Sequence, residues 1–386
     1  MQNHRQRRAL VLSFTPISGE PRAIRQACAL RDAGWQVTLV GYGGAGAPPA
    51  GCRLIEVPAP AAAPSRLRRA AALACLFGAR VLDEAAEAYY WLRSAHRTAW
   101  RAVEGEAVEL VVANDHFTLP LAHRLARRWG ARLVADCHEY ALGEYPDNRA
   151  WNLLYRPYVD SIQRRLLRRA DAVTTVSAGI ARRLAADYRL APEPLVVRNM
   201  PGYEAQPFRP CGDPVTVLYH GLLVPVREPE LLIQAAARLD GRCRLVLRGP
   251  GEPAYLDHLR GLAAEAGAAA HVRIEPPVPL SGLVSAANEC DVGIFIHRDL
   301  SPQMRYVLPN KLFEYIMAGL ALCVSDLPEM AAVVRAHDLG VLAPDPSPDA
   351  VAATLAGLSR GQIDTFKRRA LEAARTLSWD AEKAVF

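Results

Sequence analysis

Residues 308–329, LPNKLFEYIMAGLALCVSDLPE, constrain the fold most, because they spell a loop, a short helix and a covered strand in one run. Pro309 fits the first helical position, where its missing N–H costs nothing. The amides of Asn310, Lys311 and Leu312 are then expected to lack intrahelical partners, with partial positive charge from the helix dipole at the same end. Lys311 adds a full charge, so an anion of phosphate size suits this helix start. Glu314 lies one turn in, placed to offer its carboxylate to hydroxyls beside that anion. Gly319 ends the helix, and the apolar run 321–325 reads as a parallel strand covered on both faces. A diphosphate next to a ribose fits this arrangement. The plainer alternative is an ordinary helix cap with a solvated lysine and glutamate.

The same rhythm of buried strand and amphipathic helix runs along the whole chain. Strands are expected at 9–14 (ALVLSF), 35–41 (WQVTLVG), 109–113 (ELVVA), 132–136 (RLVAD) and 170–177 (ADAVTTVS). After a proline-rich linker over 200–214 they resume at 215–221 (VTVLYHG), 243–248, 271–275 and 290–296. Strands alternating with helices predict an α/β fold with parallel sheets, and 386 residues exceed a single typical core. Two domains follow, 1–200 and 201–364, with terminal helices over 365–386. The glycines of GYGGAG (41–46) match a dinucleotide fingerprint in letters only, since prolines and another strand follow where a helix must start.

Charge is unevenly shared. The net +6 of the chain divides into +10 for residues 1–198, which hold 28 arginines, no lysine and 18 acidic residues, and −4 for the rest. The first half is therefore the one suited to an anionic partner or membrane surface. Within 64–104, Arg66, Arg68, Arg69 and Arg80 beside Leu73, Leu76 and Phe77 are expected mainly to be helices packed on the sheet, with arginine stems covering apolar surface; an interfacial surface is the alternative. The eight cysteines never form a C-x-x-C pair, which suggests free thiols, no structural zinc and a reducing compartment. No secretory signal and no apolar run near 20 residues is seen, so a cytoplasmic protein is expected.

Two consecutive parallel strands end in Asn114-Asp115-His116 and Asp136-Cys137-His138-Glu139. Acidic and imidazole groups at the carboxyl ends of parallel strands mark a ligand crevice. Asp115, His116, His138 and Glu139 are thus candidates to hydrogen-bond or deprotonate a ligand hydroxyl. Gly19, in the loop after the first strand, lets backbone approach a ligand closely.

The run LPNKLFEY followed by AGLALCVSD resembles the donor-site motif of the GT-B glycosyltransferases, particularly the family-4 (group 1) retaining enzymes. The resemblance implies two Rossmann-like doubly wound domains facing across a cleft, with the C-terminal helices crossing back to the first. It implies that Pro309, Asn310, Lys311, Leu312 and Glu314 hold a nucleotide-sugar donor, and that Gly19 faces its diphosphate. Arg227, in LVPVREPELLIQA, stands where the family carries a phosphate-binding lysine, and Glu275-Pro276-Pro277 falls beside the nucleobase. The departures are Leu222 for an arginine, Tyr306 for a sugar-contacting glutamate, and Asn114 for a histidine. Asp299, Ser301 and Gln303 are then candidates for the sugar-side contacts.

The expected function is a metal-independent, hexosyltransferase-type glycosyltransferase that retains configuration at the anomeric carbon. It would move sugar from a UDP- or GDP-sugar to a glycan or lipid-linked acceptor in cell-surface polysaccharide biosynthesis. No cofactor and no nucleic acid is expected, with peripheral contact to an anionic membrane as a further partner. The alternatives are a nucleotide-sugar epimerase of the same fold and a non-catalytic homologue that binds the same ligand.

Overall fold

Valine, leucine, isoleucine and alanine runs of two to nine residues form the strands of the computed structural model, which describes residues 7–44, 46–59 and 65–386. The chain divides into two units, Met1–Val197 with Ser301–Gln303 and Val385–Phe386, and Arg198–Leu300 with Met304–Ala384. Each unit holds one wholly parallel sheet.

The first sheet contains β1 (Arg8–Pro16), β2 (Gln36–Tyr42), β3 (Cys52–Val57), β4 (Leu110–Asn114), β5 (Arg132–Cys137), β6 (Ala172–Thr175) and β7 (Leu195–Val196). Their order is β3-β2-β1-β4-β5-β6-β7. The winding direction thus reverses between β1 and β4, and their carboxyl ends flank the switch point where doubly wound sheets bind ligands. The helices are α1 (Pro21–Asp32), α2 (Arg66–Gly78), α3 (Asp83–Leu92), α4 (Ser94–Val103), α5 (Asp115–Trp129), α6 (Arg156–Leu166) and α7 (Ala178–Tyr188). β2 runs through Gly41 and the next element is β3, so GYGGAG is a strand end and loop; Ala45 lies outside the described residues.

The basic segment after β3 divides in a way that periodicity did not show. Its expected start at Pro64 lies outside the described residues, and α2 begins at Arg66 with Ser65 as its cap. α3 and α4 bury Tyr89, Tyr90, Ala95, Ala99 and Val103 and are ordinary packed helices. α2 buries only Leu76. Its Leu67 is 84% exposed and Phe77 50% exposed, so these side chains are not covered by arginine stems.

The second sheet contains β8 (Val215–His220), β9 (Cys243–Arg248), β10 (Val272–Glu275), β11 (Val292–Phe295), β12 (Ala321–Ser325) and β13 (Gly340–Ala343). The order β10-β9-β8-β11-β12-β13 puts its switch point between β8 and β11. Its helices are α8 (Pro229–Ala237), α9 (Pro253–Glu265), α10 (Leu283–Ala287), α11 (Pro302–Arg305, whose first two residues belong to the first unit), α12 (Asn310–Met317), α13 (Pro328–His337), α14 (Pro348–Ala356), α15 (Arg360–Ala373) and α16 (Trp379–Glu382). All five residues of β12 are buried, as a strand covered on both faces requires. Gly319 takes φ +69° just after α12, the left-handed turn that ends the helix.

α15 is fixed to the second sheet by an ion pair. Lys367 Nζ lies 2.8 Å from Asp291 Oδ1 and donates to the carbonyl of Cys290 at 3.1 Å, with the Lys367 side chain 1% exposed. Asp291 also accepts from the amide of Thr216 at 2.9 Å, which ties the edge of β8 to the same carboxylate. Removing one partner of such a pair leaves a charge buried without compensation, a loss of about 3–5 kcal/mol. Lys367→Ala should lower the urea unfolding free energy of the second domain by about that amount. The double substitution Lys367→Met/Asp291→Asn should recover part of it.

Candidate functional site

The helix α12 starts beside the second switch point. Pro309 has φ −75° and ψ 147° and is the cap rather than the first helical residue, one position earlier than expected. A second correction concerns Leu312. Its amide donates to the Pro309 carbonyl at 3.0 Å and its side chain is wholly buried, so it has no donor to offer a ligand. The amides at the helix start are those of Asn310, which is exposed, and Lys311.

Lys311 decides the character of this end. Its ammonium lies over the rings of Tyr219 and Phe295, at 4.1 and 4.7 Å from the centroids. These rings belong to β8 and β11, the two strands that flank the reversal. Burial, then the positive charge of Arg227, pulls the Lys311 pKa down to about 7, with Glu314 opposing. Cation–π contact returns about 1–2 kcal/mol at a desolvated site, which does not restore the ordinary lysine range. The cation lacks a full counter-charge. Arg227, exposed on the turn Pro225–Arg227, and Lys311 together depress His297 to about 4, after burial. Gly221 follows β8 with φ +129°, and a Cβ there would meet Lys311 Nζ at 2.9 Å. A side chain at 221 would therefore crowd the ammonium.

Among the described residues, Glu314 is held at one oxygen only. Its Oε2 lies 2.8 Å from His220 Nε2, and its side chain is 19% exposed. The His220 main-chain amide is fixed by the Tyr315 hydroxyl at 3.0 Å. With Nε2–H donating to Glu314, the buried Nδ1 of His220 is left with no partner among the described residues. The other Glu314 oxygen remains available to hydroxyl donors.

In the first domain, buried polar groups gather at the carboxyl ends of β4 and β5. Asp136 accepts from Arg22 Nε at 2.6 Å and Nη2 at 2.7 Å, from Gln26, and from the Thr174 hydroxyl at 2.6 Å. Burial pushes its carboxyl up, but Arg22 and His138 outweigh it and hold the pKa well below the usual range. His138 Nε2 lies 2.9 Å from both Asp136 Oδ2 and Asn114 Oδ1. Its Nδ1 lies 3.4 Å from Asp115 Oδ2, and its amide donates to Asp115 Oδ1 at 2.9 Å. Burial opposes charge on this imidazole, yet Asp115 and Asp136 win and raise its pKa. Asp115 itself has φ +59°, a backbone state that costs about 1–3 kcal/mol in a non-glycine residue and clusters at functional sites.

Of the four acceptor-side candidates, the fold joins Asp115 and His138. His116 is 4% exposed, packs on the Phe117 ring, and is held near pKa 4 by burial. It makes none of the hydrogen bonds of the network. Glu139 is exposed. Gly19 closes the turn Ile17–Gly19 after β1, with nothing within 4 Å of where a Cβ would stand. Asp299 pairs with Arg305, so its carboxylate is engaged.

Two groups were not foreseen. Glu144 is raised to about 7 by burial and then by Asp115, which makes it a carboxyl that exchanges its proton near neutrality. Nothing in its sequence neighbourhood marks it. Arg22 and Gln26, four apart on α1 and almost wholly buried, orient Asp136 and Asn114. Two long polar residues on the apolar face of α1 were the readable signal. Among the described residues, no three His, Cys, Asp or Glu side chains converge as a metal site.

Residues 19–200 match the family model described as a glycosyl transferase 4-like domain, and residues 214–360 match that of glycosyl transferases group 1. The chain belongs to the group 1 GT-B glycosyltransferases. A D-inositol 3-phosphate glycosyltransferase of Thermobispora bispora is 27% identical over 289 residues, 67% of this transferase and 64% of the relative. Another, of Geodermatophilus obscurus, is 28% identical over 57% of this chain and 50% of its own length. The transferase thus aligns with less than two thirds of these curated relatives. Among solved structures, sucrose-phosphate synthase from Thermosynechococcus elongatus superposes with TM-score 0.71 at 17% identity, covering 98% of this chain and 96% of that one. Anabaena HepE in complex with UDP and glucose gives 0.66 at 13% identity, with 98% and 97% covered. These likenesses show the GT-B fold of the transferase.

The depressed Lys311 gives a pH dependence with a definite sign. Its ammonium is present below about pH 7 and is lost above it, while an anionic ligand restores it. Anion binding at Lys311 should therefore weaken by about tenfold per pH unit above 7 and be accompanied by proton uptake. Titration calorimetry in buffers of different ionisation enthalpy measures both. Lys311→Arg should remove the dependence, since guanidinium stays protonated.

Proposed function

We propose that the transferase moves a hexosyl group from a UDP- or GDP-sugar to a hydroxyl of a glycan or lipid-linked acceptor, with retention and without a metal ion. The observation that carries this reading is the under-compensated Lys311 ammonium at the second switch point, next to a glutamate with one open oxygen. A diphosphate supplies the missing counter-charge, and a ribose diol supplies donors for Glu314. As the glycosyl bond breaks, negative charge grows on the leaving diphosphate. Lys311, Arg227 and the amides of Asn310 and Lys311 stabilise that charge without a metal.

The acceptor hydroxyl is assigned to Asp115 and His138, with Glu144 as a nearby proton-exchanging group. The leaving phosphate oxygen takes the acceptor proton in a retaining route, so these groups orient the hydroxyl. An anionic acceptor agrees with the arginine surplus of the first half, and the curated relatives are named for a phosphorylated inositol acceptor. Exposed Leu67, Leu73 and Phe77 beside Arg66, Arg68 and Arg69 on α2 support a peripheral stay on an anionic cytoplasmic membrane face, where cell-surface polysaccharide is built. Among the described residues no helix is long and apolar enough to cross a membrane.

The test is incubation with a panel of nucleotide sugars, with and without lipid-linked or phosphorylated acceptors. Acceptor-dependent nucleotide release is the expected result. Acceptor-free conversion of the sugar would mark an epimerase, and binding without turnover a silent homologue. Glu314→Ala and Lys311→Ala should each weaken donor binding by about 1.5–3 kcal/mol, roughly tenfold or more. Asp115→Ala and His138→Ala should leave the donor Kd unchanged while raising the acceptor KM and lowering turnover.

A further inference from the structure

The end of α5 remote from Asp115 carries charge that sugar transfer does not use. Arg124, Arg127 and Arg128 on α5, with Arg165 on α6 and Arg169 just beyond it, line a cavity of about 500 Å3 within the first domain. Small-molecule sites span roughly 300–1,000 Å3. At about 1.5 Å per residue, Arg127 stands roughly 18 Å along the helix from Asp115. The cavity is therefore separate from the network at the ends of β4 and β5.

Part of this charge answers the fold. Two helix C-termini meet here, each with a partial charge of about −0.5, and Glu87 lies 3.2 Å from Arg165. Five guanidiniums exceed that total by roughly three charges. Arg124, Arg127, Arg128 and Arg169 form no ion pair among the described residues. Their spacings on α5, with Arg124 three and four residues before Arg127 and Arg128, place like charges side by side, which destabilises helices. The Nε of Arg165 is buried with no partner among the described residues.

The walls orient these groups. Arg124 lies over the rings of Trp91 and Trp100 at 5.0 and 5.1 Å, and Arg128 over Trp100 at 5.8 Å. A guanidinium over an indole face gains cation–π attraction while keeping N–H donors for an oxyanion. His123, in the same lining, has its pKa lowered by burial and then by Arg169 and Arg127, so the field reaches a neutral ring.

We propose that this cavity is a second anion site, built for a ligand bearing a phosphate or diphosphate group. The headgroup of an anionic lipid and a soluble phosphate ester present the same chemistry. The inference does not depend on the donor-site reading.

Inorganic pyrophosphate is the probe, titrated into the 386-residue protein carrying Lys311→Ala so that the second domain's phosphate affinity is reduced. Tryptophan fluorescence should report saturable binding, weakened about tenfold or more when Arg127→Gln/Arg169→Gln is added. The same double substitution should leave the melting midpoint unchanged or raise it, because it removes like charges that lack partners. Absence of saturable binding overturns the proposal, as does affinity unchanged by the double substitution. A falling midpoint also overturns it, by showing the arginines to be structural counter-charges for the helix ends. Phosphatidylglycerol vesicles that displace pyrophosphate, where phosphatidylcholine vesicles do not, identify a lipid headgroup. Pyrophosphate displaced by neither identifies a soluble phosphate ester. Failure of the donor-site reading would instead appear as Lys311-independent nucleotide-sugar binding, which leaves this measurement intact.

Discussion

One half-buried ammonium, that of Lys311, sets the charge at the switch point of the second domain. Lys311 can point between Tyr219 and Phe295 because β8 and β11 lie side by side where the sheet reverses direction. Gly221 leaves room for it, and Gly249, at φ +156°, lets the backbone after β9 approach Gly221, where a Cβ would come within 1.9 Å of its carbonyl oxygen. The two aromatic faces are poor substitutes for a carboxylate. The cost of keeping the charge dry is visible in its pKa near 7. A cation held without a full counter-ion is the basis for proposing an anion there, and the neighbouring Glu314 for proposing hydroxyls beside it.

The first domain solves the opposite problem. It buries an aspartate, Asp136, and surrounds it with Arg22, Gln26, Thr174 and His138 until the carboxylate is fully satisfied. That rigid centre fixes His138, and His138 in turn holds Asp115 in a backbone state an aspartate adopts at a cost. The strain is small beside the number of hydrogen bonds that impose it. Its effect is a carboxylate with both oxygens on His138 and about a quarter of its side chain in solvent, 28% exposed.

The arginines of the first half fall into groups with different physical roles. Arg22 neutralises a buried carboxylate, Arg66, Arg68 and Arg69 stay in solvent on α2, and those at the C-terminal end of α5 stack on indoles around a cavity. Net charge alone reports only their sum. The distinction lies in what each guanidinium touches.

Much of this architecture was legible in the residues. The parallel strands, the helix before ALCVS, the left-handed stop at Gly319 and the pairing of Lys311 with Glu314 at one helix start all follow from local periodicity, capping and charge placement, which the chain carries wherever it goes. Sequence placed Asp115 and His138 at strand ends but could not separate them from His116, because one residue along a helix start turns a side chain from the crevice into the core. It gave no hint of Glu144, whose proton affinity is set by burial and by Asp115 rather than by its neighbours in the chain. It also overstated Leu312, whose amide is taken by the Pro309 carbonyl once the turn closes. Composition, pattern and motif thus determined the fold class and the helix that carries Lys311 and Glu314. Which imidazole meets a carboxylate, which lysine loses its water and which arginines share a cavity were decided only by tertiary structure, because solvation and distance between remote residues do not exist until the sheets are assembled.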